Sequence, residues 1–177
     1  MYYVIFGLVA LVAAILLVIT IFYNKFKFAI IKIEEAENNI DILFDKKIEL
    51  LERTRPIIKK ELKLKEFLDD IEFLSETKIN HFEMNESLKR LHSELNNILD
   101  EHDKLYKSEA LVNIIDEIKS NEEAILGSTK FYNDNVVIFN QLVGGFPSSL
   151  VALMFGYKKK DFYNNEKKEI FEILNEK

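Results

Sequence analysis

A chain of 177 residues has the length of a single domain, and its 24 basic against 30 acidic side chains leave a net charge of −6. That balance excludes the concentrated basic surface with which proteins displace counterions from nucleic acid. The absence of cysteine excludes a disulfide framework, a thiolate metal site, a cysteine nucleophile and a lipid-modified cysteine anchor.

The apolar residues fall into two populations. No charged side chain precedes Lys25, and residues 2–23 read YYVIFGLVALVAAILLVITIFY. About 20 helical residues cross the roughly 30 Å of bilayer hydrocarbon, and backbone groups inside lipid must be satisfied within a helix. Aromatic side chains flank the run, Tyr2, Tyr3 and Phe6 at one end and Phe22, Tyr23, Phe26 and Phe28 at the other, at the levels where amphipathic rings settle. A cleaved signal peptide would need a basic start, a shorter apolar core and a small-x-small exit; none of these is present. Residues 1–24 are therefore expected to form a transmembrane anchor and residues 25–177 a helical domain. Lys25, Lys27 and Lys32 follow the span and no basic residue precedes it, which predicts a single-pass cell-membrane protein with its N-terminus outside and its C-terminal domain in the cytoplasm.

Beyond Ile30 the apolar residues recur three and four apart, the spacing of one buried helical face. Ile33, Ala36, Ile40, Leu43 and Leu50 mark the first seam, and Pro56 predicts a kink or helix boundary near Arg55. A second segment, residues 85–106, carries Leu88, Leu91, Leu95, Ile98 and Leu105. The third, residues 109–143, has the longest alternation, from Leu111 through Ile118, Ile125, Tyr132, Val136 and Phe139 to Val143, and Gly144-Gly145 ends it. A short apolar piece, FPSSLVALMFGY, follows, and Asn164 or Asn165 is placed to cap a last helix reaching about Asn175. No stretch alternates with period two. The fold class is all-α: an N-terminal transmembrane helix followed by an elongated antiparallel helical bundle with coiled-coil-type spacing.

Catalytic, cofactor and metal motifs are lacking. His81, His92 and His102 match no common zinc spacing, Gly144-Gly145 lacks the pattern of a phosphate loop, and the serines sit in no nucleophile elbow. The basic group Arg53, Arg55, Lys59 and Lys60 is interleaved with acids and reads as a solvated face. Residues 146–160, from Phe146 and Pro147 to Lys158, Lys159 and Lys160, read first as a cap over the bundle core and second as a segment at a membrane surface beside anionic headgroups.

Polar residues on the third seam stand out more. Glu122 and Thr129 interrupt its apolar stripe, and Asn133 and Asn140 flank it one heptad apart. Buried asparagines at such positions tend to fix register, and Asp41 is a candidate partner. A replacement of either asparagine by leucine should then be tolerated, a large loss of stability being the sign of a buried partner instead. A reactive role for Glu122 would require a second polar group facing it from a neighbouring helix.

At these residues the chain resembles the LemA family of bacterial membrane proteins. One block is Glu35-Ala36, Ile40-Asp41 and Lys46-Lys47. The second is Glu122, Ile125, Lys130, Tyr132-Asn133, Val136, Phe139-Asn140, Phe146-Pro147-Ser148, Ala152 and Phe155-Gly156. The chain departs from the family pattern at Glu37, where the family has Trp, and at Glu52-Arg53, where it has Pro-Asn, so it reads as a divergent member. The resemblance implies an N-terminal anchor, an antiparallel helical core, no cofactor and no enzymatic activity, and it makes Asn133, Asn140, Phe146 and Pro147 structural or partner-facing positions.

The function expected from all this is a non-enzymatic single-span protein that presents a helical bundle to an unidentified protein partner at the membrane. A membrane-surface or lipid-organising module using residues 146–160 is the second reading, and an enzyme with a site around Glu122 and the histidines is the third. The sequence sets neither the partner nor the oligomeric state.

Overall fold

A computed structural model describes residues 1–76 and 81–163 of the chain, without the side chains at 73, 75, 76, 81 and 82. The helices are α1 (Tyr2–Leu62), α2 (Ile71–Glu76), α3 (His81–Glu101), α4 (Glu109–Gly144) and α5 (Ser148–Phe155), with a 3-10 turn at Asp103–Lys107 between α3 and α4. No strand occurs among the described residues, and the fold is all-α. The last helix expected beyond Asn164 lies outside the described residues.

Helix α1 corrects one expectation. Of the two outcomes foreseen near Arg55, a kink or a helix boundary, the boundary is absent: the helix holds Pro56 in its interior and runs on to Leu62. Proline deprives the carbonyl four residues earlier of its helical donor. That carbonyl belongs to Glu52, and both Glu52 and Pro56 are exposed, so water satisfies what the ring removes.

The chain divides into two compact units, Glu37–Thr129 and Met1–Ala36 with Lys130–Lys177. In the first, Asn39 meets Ser128, Lys47 meets Glu122 and Arg53 meets Glu117. Rising numbers on α1 against falling numbers on α4 make that pair antiparallel. His92 of α3 bonds Glu122 of α4, and the short turn Asp103–Lys107 returns the chain from α3 into α4; that hairpin makes α3 and α4 antiparallel, so α1 and α3 run parallel to each other. The core between them holds Ile40, Phe44, Leu51 and Ile58 from α1, Leu88, Leu91, Leu95 and Leu99 from α3, and Leu111, Ile114, Ile118 and Ile125 from α4, all buried; of the seam positions expected, Leu43 and Ile98 are only half-buried, and their neighbours Phe44 and Leu99 take the inner places. Each such side chain contributes about 1.5–3 kcal/mol of transfer free energy.

Parallel neighbours need a return connection, and Arg55 holds it. Its Nε donates to the Phe67 carbonyl at 3.0 Å, one terminal nitrogen to Asp69 at 2.6 Å and the other to Glu72 at 2.7 Å. Lys59 adds a bond to Asp69 at 2.8 Å. The basic group that reads as a solvated face is thus partly spent on fixing a loop of the same chain. Leu68 takes a left-handed φ of 50° there, held with its side chain buried and its N–H donating to Glu94 at 3.1 Å.

In the second unit Phe26, Ala29, Ile33 and Ala36 of α1 are buried, with Tyr132, Val136 and Phe139 of α4 and Val151 and Ala152 of α5. The Phe26 ring lies 5.7 Å from Phe139 and 4.7 Å from Tyr157, and Tyr23 lies 4.9 Å from Phe155. Residues 2–18 are exposed to a residue, in a helix apolar and long enough to cross a membrane.

At the other end of α4 the chain turns by 94° into α5. Gly145 makes the turn possible, since a Cβ there would sit 2.9 Å from the Gln141 carbonyl oxygen. Ser148 Oγ and the Ser149 N–H both donate to the Gly145 carbonyl, at 2.8 and 2.7 Å. Gly156, at φ 70°, closes α5 in a left-handed cap, with the Tyr157 N–H returning to the Ala152 carbonyl at 2.9 Å; glycine adopts that conformation without the Cβ penalty.

Candidate functional site

The polar residues on the α4 seam gather two sets of partners, one in each unit. In Glu37–Thr129 the centre is Glu122. Lys47 reaches it from α1 and His92 from α3, both on the same carboxylate oxygen, the imidazole Nδ1 donating at 2.9 Å. The condition set for Glu122 is met twice over, by two neighbouring helices. Lys47 is 3% exposed, so its ammonium has given up nearly all of its water. Such a group survives only against a counter-charge.

The hydrogen bond from His92, followed by that from Lys47, draws the Glu122 carboxyl down from its ordinary 4.5 to about 2, against the opposing effect of burial. At neutral pH Glu122 is therefore a fixed anion. A group held there is poorly matched to general acid–base work near pH 7. A cavity of about 280 Å³ opens beside it, lined by His92, Leu95, Asn96, Ile115, Ile118 and Lys119. Asn121, one residue away, donates to the Leu43 carbonyl at 2.9 Å, and its buried Oδ1 has no partner. Among the described residues no group of three or more His, Cys, Asp or Glu side chains is placed to hold a metal ion.

The second set lies in the other unit. Asn140 is 3% exposed and pairs twice with one peptide: its Nδ2 donates to the Lys160 carbonyl and its Oδ1 accepts from the Lys160 N–H, both at 2.8 Å. Asn133, at 2%, accepts from the Tyr163 N–H at 2.8 Å. Tyr132 adds a bond from its hydroxyl to the Asp161 carbonyl at 3.2 Å. One heptad of spacing does place both amides on one face, and the bonds they make there go to the non-helical backbone after α5. Asp41 belongs to the other unit and is exposed on α1.

The remaining candidates cluster around α5. Phe146 is almost fully exposed at 85%, and Pro147 is half-buried against α1. Lys158 and Lys159 are exposed, while Lys160 is half-buried with its backbone held by Asn140. His102 donates to its own helix, to the Ile98 carbonyl at 3.2 Å, and the His81 side chain lies outside the described residues.

A model of the LemA family matches residues 36–173, more than three quarters of the chain. The chain belongs to the LemA family. No curated protein and no solved structure matches it. The LemA match begins at Ala36, beyond the apolar run, and covers every polar partner just described. It also gives the two blocks of resemblance a physical link: Lys47 stands in the first, Glu122 in the second, and the ion pair joins them across α1 and α4. His92, between the blocks, is the member that the sequence does not announce, since its role depends on α3 lying against α4.

Two predictions follow from the unequal burial of these groups. Glu122→Gln should cost about 2–3 kcal/mol at pH 7, because it leaves Lys47 buried without a counter-charge, water at the half-open carboxyl keeping the figure low. Lys47→Met should cost clearly less, since it removes the buried charge and leaves Glu122 its bond to His92. A carboxyl lowered in the folded state contributes stability that is complete above about pH 4.5 and lost as the pH falls towards 2. The gap between wild type and Glu122→Gln in urea melts should therefore narrow over that interval; Asp69, also lowered to about 2, titrates alike in both. For Asn140→Leu the structure selects the destabilising outcome. A loss of about 2–4 kcal/mol is expected from two unsatisfied peptide groups, read as a lowered melting temperature and faster hydrogen exchange at Lys160.

Proposed function

We propose that this chain is a non-enzymatic, single-span membrane protein that presents its helical domain to a protein partner on the cytoplasmic face of the cell membrane. The observation that supports this most is the character of α1. Its first part is apolar and exposed at every residue as far as Val18, while its later part, from Ile40 to Ile58, supplies one wall of a buried core. A helix of this kind is satisfied when lipid surrounds the first part, and the same helix then leads into the domain. The cation at Lys25 and those at Lys27 and Lys32, lying over the rings of Phe22, Tyr23 and Phe28, suit the cytoplasmic interface.

The second reading, a membrane-surface module in residues 146–160, is favoured by the seat of α5 against α1 and is developed below.

The absence of cysteine makes the topology testable. In a full-length chain carrying Asn97→Cys, an exposed position on α3, a membrane-impermeant maleimide should react only after the cells are lysed. Reaction in intact cells would reverse the orientation and direct the search for partners to the outer side.

A further inference from the structure

Helix α5 sits beside the part of α1 that the membrane reading places in hydrocarbon. A groove of about 320 Å³ separates the two, lined by Ala14, Ile15, Val18, Pro147, Leu150 and Met154. The lining is apolar throughout. Only Ser148, Val151 and Ala152 of α5 are buried. The outward side chains Leu153 and Met154, with Phe146 before the helix, are 81%, 64% and 85% exposed. The inner face of α5 covers the core with Val151 and Ala152, while Phe146 and Leu153 stay open and Met154 borders the groove.

We propose that α5 lies within the cytoplasmic leaflet, its outer face covered by lipid acyl chains and the groove against α1 filled by one of them. The proposal rests on residues 2–23 being a membrane span. If they are, the depth of α5 follows from its neighbours. Positions 19 and 14 stand about 6 and 14 Å below Tyr23 along a helix axis, and helices that lie in the interface sink their apolar faces about 5–10 Å. The exit from α5 is at the matching level. Tyr157 sets its ring 4.7 Å from that of Phe26, tilted against it, so Lys158 and Lys159, which follow it, lie near the height of Lys25 and Lys27. Two separate stretches of chain thus change from apolar to cationic at one level, as anionic headgroups over acyl chains require. The glycine turn and the 94° bend lay α5 across α4 rather than along it, and Asn140 fixes the backbone of Lys160 where the chain returns.

The test uses the full chain in vesicles of phosphatidylcholine and phosphatidylglycerol. Single cysteines at Leu153 and Met154 carry an environment-sensitive fluorophore, with Leu11, in mid-span, and Asn97, in the helical domain, as references. Nitroxides high on the lipid acyl chains should quench the labels at 153 and 154 strongly, and aqueous iodide should not. Labels at both positions that behave like the one at Asn97, while that at Leu11 is quenched from within the bilayer, would overturn the placement of α5 and leave the span intact. A label at Leu11 open to iodide would overturn the span, and α5 with it.

Discussion

A transmembrane segment cannot leave backbone groups without partners, because hydrocarbon offers none. In the membrane placement proposed for this LemA-family chain, that constraint is met by one helix, α1, which does not stop where the apolar run stops. It continues as a wall of a buried core, so in that placement the same helix serves two solvents in turn. Up to Val18 every side chain is exposed; from Phe26 onward one face in each turn is buried. The elements that pack on α1 are placed by this continuity. Helix α4 lies antiparallel to it through the core of Glu37–Thr129, and α5 lies on it near Ala14–Ile19 in the other unit.

Polar groups complete each unit in a different manner. At Glu122 the chain buries a cation and gives it a partly open anion, itself tied by a histidine from a third helix. The arrangement is costly to break from the acidic side and cheap from the basic side, because only the lysine is cut off from water. At Asn133 and Asn140 the side chains act as substitutes for a missing secondary structure. Residues 157–163, the described segment after α5, have neither helix nor strand to satisfy their peptide groups, and the amides of α4 supply the pairing. In both cases the seam of α4 exchanges apolar contact for a specific partner, which fixes what lies opposite each position.

Much of this was legible in the sequence, and the limits have physical causes. The bounds of α4 follow from its unbroken 3-4 spacing and the glycine pair behind it. Glu122 stands out as a polar residue on the stripe, and the two asparagines because they flank it one heptad apart. Pro56 misleads, since a proline on the wet side of a helix loses a bond that water replaces. The partners of the polar residues were not legible: His92 is 30 residues from Glu122 and Lys47 is 75, and nothing local to either marks the pairing. Helix α5 was hidden because its eight residues are too few for periodicity to tell a helix from a run of apolar coil, and its packing on α1 is a long-range event. The asparagines were read as contacts between helices because heptad spacing specifies a face and not what occupies it.

The central claim is that anchor and core share one unbroken helix. Hydrogen exchange of the full chain in lipid nanodiscs tests it most directly, followed across residues 20–40. An unbroken helix predicts slow exchange at every amide through this stretch, without an interval of fast exchange between Tyr23 and Ile33. A run of rapidly exchanging amides there would mean a hinged linker between membrane and core, and would contradict the account.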